Sequence, residues 1–169
     1  ACQSRNDGDP IVLFDHLAAG GRWLISQFAL PSFPFGPFYQ CIAVSKTSDP
    51  RGAWNRYAFL WSNTKLNDYP KFGVWPDGYY MSVNQFTAPW LSWGGQGVAV
   101  FERSRMLNGQ SARGIKFDLN STDPNLGGML PSDLDGQAPP TGEPNYFAVF
   151  DDDAWGYSGD QLQIWKFAT

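Results

Sequence analysis

A four-strand pattern recurs in this chain about two and three-quarter times, and each round has the size of one unit of a repeat architecture. The first copy reads GDPIVLFD, GRWLISQF, QCIAVSKT and WNRYAFLW, and the second DYPKFGVWP, GYYMSVNQF, QGVAVFER and ARGIKFDL. Pro10 aligns with Pro70, Gln27-Phe28 with Gln85-Phe86, Ile42-Ala43-Val44 with Val98-Ala99-Val100, and Phe59 with Phe117. The offsets cluster near ~58 residues, within the range of propeller and solenoid arrays. A third copy starts near Leu130-Pro131, continues through NYFAVFD and DQLQIWKF, and has no fourth strand. The three copies are expected over 8–62, 68–119 and 129–169.

Four short antiparallel strands per repeat describe a blade of a β-propeller, and closing such a wheel takes at least ~4 blades. The expected fold is therefore all-β, a partial β-propeller. The chain is expected to be a piece of a larger propeller, or a subunit that meets other copies. Composition agrees. Aromatic residues make up 17% of the chain, with 18 Gly and 13 Pro to supply turns, the mixture of an all-β protein with many short strands.

Charge excludes one class of partner. The net charge is −4 and Lys and Arg are scattered, whereas nucleic-acid binding needs clustered positive charge. No apolar run approaches the ~18 residues of a membrane span.

Cys2 and Cys41 are the two cysteines. They either form a disulfide or sit as two buried thiols. The acidic, aromatic, Lys-poor composition is that of exported proteins and favours the bond, which would stabilise by ~4 kcal/mol in the chain-entropy model.

Several segments are expected to lie outside the sheets. Residues 31–37 are rich in Pro and Phe, and proline cannot donate to a ladder. Residues 65–68 read as a link between the first two copies. Residues 87–96 read as a loop rich in Trp and Gly, and 120–144 as a long connection dominated by Asp, Pro and Gly, a length usual in functional loops.

The chemistry-bearing residues are few. Thr47, Asp49, Gly52 and Trp54 come close to the Asp box of sialidase-type propellers, with one extra residue between Asp and Gly; that motif is a structural hairpin. Asp9, before Pro10 at the head of the first inner strand, is the candidate catalytic carboxylate of a glycoside hydrolase. It would need a partner acid at ~5–9.5 Å, and Glu102 and Glu143 are the only glutamates. The alternative role for Asp9 is turn initiation. Three acidic clusters invite calcium: Asp118-Asn120-Asp123, Asp133-Asp135 and Asp151-Asp152-Asp153. Asp133 and Asp135 are the best of them, although no full calcium loop with its bidentate Glu is present. No other cofactor is expected. His16, the one histidine, cannot build a zinc site with two cysteines. Phe33, Phe35, Phe38, Tyr39, Trp90 and Trp93 fall in expected loops. Of these, Phe35, Phe38, Trp90 and Trp93 are the candidate binding rings, for a sugar face or a protein partner; the alternative is filler between blades.

The ordered set DPIVLFD, RWLISQF, YQCIAVSKTSDPRGAW, NDYPKFGVWPDGYYMSVNQF, GQGVAVFERSRML, GGMLPSDLDG and PNYFAVFDDDAWG resembles a family of secreted bacterial β-propeller-like proteins described as hypothetical. The resemblance spans nearly the whole chain. It implies a secreted or periplasmic location and longer relatives with further blades, and it implies no activity. A weaker likeness to sialidase and arabinanase propellers concerns fold and turn chemistry. The expected function is thus non-enzymatic binding of a glycan or protein partner through aromatic loops. The alternatives are glycoside hydrolysis by channel-facing carboxylates and a structural or assembly role.

Overall fold

Alternating burial along each repeat becomes strands, and each repeat becomes its own sheet. The computed structural model describes residues 1–168. It is all-β, with three antiparallel sheets of 4, 4 and 3 strands, each connected in simple sequential order. The first sheet holds β1 (Ile11–Asp15), β2 (Arg22–Ala29), β3 (Phe38–Ser45) and β4 (Trp54–Ser62). The second holds β5 (Lys65–Val74), β6 (Gly78–Thr87), β7 (Ser92–Glu102) and β8 (Gly114–Asp118). The third holds β9 (Leu130–Pro131), β10 (Asn145–Asp151) and β11 (Gln161–Phe167). One short helix, α1 (Arg103–Leu107), joins β7 to β8. Among the described residues no helix is long and apolar enough to cross a membrane.

Two expected loops are strand. Residues 65–68 belong to β5, whose register shifts between Asp68 and Lys71, so the Tyr69-Pro70 pair is absorbed as a bulge. Residues 87–96 shrink to a connection at 88–91, because β6 ends at Thr87 and β7 begins at Ser92. Gly94 and Gly95 serve the irregularity where Gln85 pairs with Gly95 but Phe86 with Trp93. Gly95 has φ +89°, a conformation open to glycine at little cost. Phe38 likewise opens β3 and is fully buried. Its neighbour Tyr39 is in the same strand.

Register relates the first two sheets more exactly than the letters do. Ile11 pairs with Ser26 and Ser26 with Ile42; Lys71 pairs with Ser82 and Ser82 with Val98. Ile42-Ala43-Val44 therefore corresponds to Val98-Ala99-Val100, as the sequence implies. Gln27-Phe28 does not correspond to Gln85-Phe86, however; it takes the place of Val83-Asn84. Tyr57, not Phe59, matches Phe117, since Ile42 pairs with Tyr57 and Val98 with Phe117. Both slips are of two residues. Such a slip keeps every side chain on its face, so hydrophobic patterning does not detect it.

A buried glutamine marks the true correspondence. Gln40 donates to the Gln27 carbonyl and accepts from Asn67 Nδ2 of the second sheet at 2.8 Å. Gln96 donates to the Val83 carbonyl at 2.7 Å and accepts from the Met129 amide ahead of the third sheet at 3.2 Å. Each glutamine spends its amide on its own sheet and its carbonyl on the next, which satisfies polar atoms that burial would otherwise orphan.

Two apolar cores fill the spaces between sheets. Leu24, Ile42, Val44 and Trp61 of the first sheet meet Phe72, Val74, Tyr79 and Met81 of the second. Tyr80, Val98 and Val100 on its other side meet Met129, Phe147, Val149 and Phe167. Met106 of α1 is buried in the first core, and its carbonyl accepts from Asn55 Nδ2 and the Tyr57 hydroxyl. The 120–144 connection is strapped to the second sheet: Leu126 is buried, Val74 N donates to Asp133 Oδ1, and Trp75 Nε1 donates to the Glu143 carbonyl. At the 47–54 turn, Asp49 accepts from the Arg51 amide and Trp54 Nε1 donates to the Pro50 carbonyl. The motif closes its own hairpin, as a structural element does.

Candidate aromatic cleft between the second and third sheets

The β6–β7 hairpin, the crossing segment at 125–128 and the β10–β11 connection enclose a cleft of about 650 Å³. Its rings are Phe86, Trp93, Phe150, Trp155 and Tyr157, and its polar groups come from Asn84, Asn125, Asp151 and Asp152. Apolar walls with a few convergent polar groups describe a small-molecule site.

Each ring is held by its own local chemistry. Trp93 stands opposite Phe86 in the β6–β7 ladder, with ring centroids 5.6 Å apart in an edge-to-face arrangement, the preferred geometry for such pairs. Its indole N–H donates to the Pro124 carbonyl at 2.7 Å. Gly127 lets the backbone approach, since a Cβ there would lie 2.8 Å from the Trp93 ring. The opposite wall is a one-turn 3-10 element, Asp153–Trp155, capped by Asp152 Oδ1 accepting from Ala154 N at 2.9 Å and ended by Gly156 in the left-handed region. That turn projects Trp155, which is three-quarters exposed.

The floor is polar and fixed. Asn84 Oδ1 accepts from Gly128 N at 2.9 Å. Asp151 is buried, and its Oδ2 accepts from Gln161 Nε2 at 3.1 Å and from Gln163 Nε2. Tyr157 donates to Asp123 Oδ2 at 3.3 Å. Burial and the neighbouring Asp123 and Asp151 carboxylates push its phenol up to about 12, so at neutral pH it is an O–H donor.

Of the four candidate rings, only Trp93 lines this cleft. Trp90 is at the tip of the β6–β7 connection and almost wholly exposed; Phe35 and Phe33 are exposed in the β2–β3 connection. Phe38 is a core residue and offers no surface. Phe86, Phe150, Trp155 and Tyr157 escaped sequence reasoning, although Asn84-Gln85-Phe86 and Ala154-Trp155-Gly156 lie inside quoted motifs. What was missing is that two hairpins from different sheets meet.

Asp133 and Asp135, the expected calcium residues, are not among the described residues that gather three or more ligating side chains. Asp133 and Asp135 are both exposed, and Asp133 Oδ1 is engaged by the Val74 amide. Among the described residues, the carboxylates that gather within 4.8 Å are Asp152, Asp153 and Asp160. Two of those three already serve their own turn, Asp152 accepting from Ala154 N and Asp160 from Asp153 N.

Asp9 is exposed and has φ +49°, matched by Tyr69 at φ +50° before Pro70. Aspartate is one of the few side chains that tolerates this region, which suits the turn role. Asp9 precedes β1, which rises about 13 Å from Ile11 to Asp15 at its far end. It is Asp15 that reaches Arg103, the neighbour of Glu102. Glu102 is paired with Arg113 at 2.6 Å and Glu143 accepts from the Tyr146 hydroxyl at 2.8 Å. His16 Nε2 lies 3.1 Å from the Gly136 carbonyl.

Cys2 and Cys41 form a disulfide, with Cα atoms 5.8 Å apart. No protein-family model, curated protein or solved structure matches this chain.

Proposed function

We propose that this chain is a segment of a β-propeller that binds a carbohydrate, without catalysis, in the cleft between its second and third sheets. The observation that carries the reading is the convergence of Trp93, Trp155 and Phe86 with Asn84, Asn125 and Asp152 around one open cleft. Ring faces offer an apolar surface to the C–H face of a sugar. Amide and carboxylate groups offer donors and acceptors to its hydroxyls.

The propeller arrangement is supported by the approach of first strands to one another. β1 lies beside β5, and β5 beside β9, as inner strands do around a shared axis. Gly73 of β5 permits this: a Cβ there would meet the Ser132 carbonyl at 2.3 Å. A disulfide supports an oxidising, extracytoplasmic compartment.

The test is titration of the chain with a panel of neutral and acidic oligosaccharides, followed by intrinsic tryptophan fluorescence and calorimetry. At least one saccharide is expected to bind to the wild type and to lose affinity in Trp155→Ala. A flat response across the panel, or binding indifferent to Trp93→Ala and Trp155→Ala alike, overturns the carbohydrate reading.

A further inference from the structure

The sheets follow one another by a repeated contact, and the chain displays both halves of that contact unused at its two ends. Trp75 N donates to the Gly78 carbonyl, and Ser132 N to the Tyr146 carbonyl; this places Gly78 and Tyr146 at the same point of their sheets. Pairing from there sets Val98 against Leu162 and Val100 against Ile164. In the first sheet the same positions are Ile42 and Val44. All six are apolar. Ile42 and Val98 are 1% and 5% exposed because the next sheet covers them, whereas Leu162 is 67% exposed and Ile164 58%.

The covering residues also recur. Phe72, Val74 and Met81 of the second sheet press onto the first. By register their counterparts are Val12, Phe14 and Ile25, on the face of the first sheet turned away from the second. These three are exposed. Nearby, on the third strand, Trp61 packs over Gly97, whose absent Cβ leaves room. The counterpart of Gly97 is Cys41, and there the bond to Cys2 takes the place of the ring. The disulfide covers the third strand and leaves the first two open.

We infer that the Leu162–Ile164 face of one copy docks on the Val12–Phe14–Ile25 face of a second copy, head to tail. The contact continues the sheet-on-sheet packing already used twice within the chain, and it buries Leu162 and Ile164 of one face against Val12, Phe14 and Ile25 of the other. Two copies of three sheets bring six to the ring, within the ~4–8 blades that propellers close with. Closure uses the same contact twice, so no apolar face is left over.

The inference rests on the propeller arrangement proposed above and not on the carbohydrate. Its test is sedimentation of the untreated chain and of Val12→Glu and Ile164→Glu. The wild type is expected at twice the chain mass of 18.8 kDa, and each variant alone at the single mass. An equimolar mixture of the two variants is expected to recover the doubled mass, because one of its two contacts carries no substitution. Far-UV circular dichroism stays unchanged, since both positions are exposed, while the thermal midpoint of each variant falls to that of the unassembled chain. A wild type that remains single throughout the micromolar range overturns the inference. So does loss of assembly in Ile164→Glu with assembly retained in Val12→Glu, which indicates pairing of like faces, or a mixture that stays single. Saccharide binding by a single-mass wild type removes the docking inference and leaves the carbohydrate site standing.

Discussion

Asp15 and Arg103 form a two-pronged ion pair between the first and second sheets, at 2.7 and 2.9 Å, with the Asp15 side chain fully buried. Tyr79 donates to the same carboxylate at 2.8 Å, and Ala18 N to its other oxygen at 3.2 Å. Arg103 Nη1 reaches the Pro76 carbonyl. Burial, then the Asp15 charge, drives the Tyr79 phenol far above its ordinary range. The network is satisfied at every carboxylate oxygen, so its value shows when one member is removed. Arg103→Met is expected to cost about 3–5 kcal/mol, because it leaves a charge buried without a partner, while Asp15→Leu/Arg103→Met recovers much of that loss. Denaturant unfolding measures both; a double variant as weak as the single one contradicts this account.

The buried glutamines give a second prediction. Gln96→Leu removes the partner of the Val83 carbonyl and of the Met129 amide, at about 1–3 kcal/mol for each group left unpaired. Gln40→Leu does the same to Asn67. The two act at different sheet boundaries, so their effects on unfolding free energy are expected to add. A marked departure from additivity points to a shared boundary.

Binding rings separate by position. Trp155→Ala is expected to weaken saccharide affinity about tenfold, which is ~1.4 kcal/mol. Trp90→Ala is expected to leave it unchanged, since Trp90 lies outside the cleft. Calorimetric titration of both variants decides; equal losses mean that the ligand contacts the hairpin tip as well.

Tyr157 titrates late. Its folded pKa, about 12, lies above the ~10 of an unfolded tyrosine. Its contribution to stability is therefore full below pH ~10 and lost as pH rises through the folded value. Asp123→Asn removes one of the raising charges and is expected to move the phenolate absorbance transition downward. An unmoved transition assigns the shift to burial and the Asp151 carboxylate.

Acid acts on the second sheet. Burial raises the Asp118 carboxyl, but hydrogen bonds from Lys65, Asn120 and Gln85 outweigh it and hold the group below its usual value. A depressed carboxylate stabilises above the unfolded pKa of ~4, and that stability falls away as pH drops through the folded value. Lys65→Met is expected to flatten this acid limb in unfolding curves taken between neutrality and strong acid. An unchanged slope excludes the Lys65–Asp118 pair as its source.

Much of the strand order was legible because its causes are local. The alternation in Trp54–Ser62 and the turn at Pro76-Asp77-Gly78 act within a few residues. The register was less legible. Gln27-Phe28 and Gln85-Phe86 look alike, yet lie two positions apart in their sheets, and period-two patterning is blind to that slip. The sign that was available is the spacing Gln-x-Ile/Val-Ala-Val, present at Gln40 and at Gln96.

By itself the chain's order of residues determined an all-β protein of repeated meanders and a supply of aromatic turns, and it favoured a Cys2–Cys41 bond that the tertiary structure then formed. Alternation, proline and glycine are enough for the strands and turns. Only the tertiary structure decided that Phe38 is core, that Trp93 and Trp155 share a cleft, and that Leu162 and Ile164 stand uncovered where Ile42 and Val44 do not. Those outcomes depend on which sheet lies against which, through contacts between residues far apart in the chain, and no local pattern carries that information.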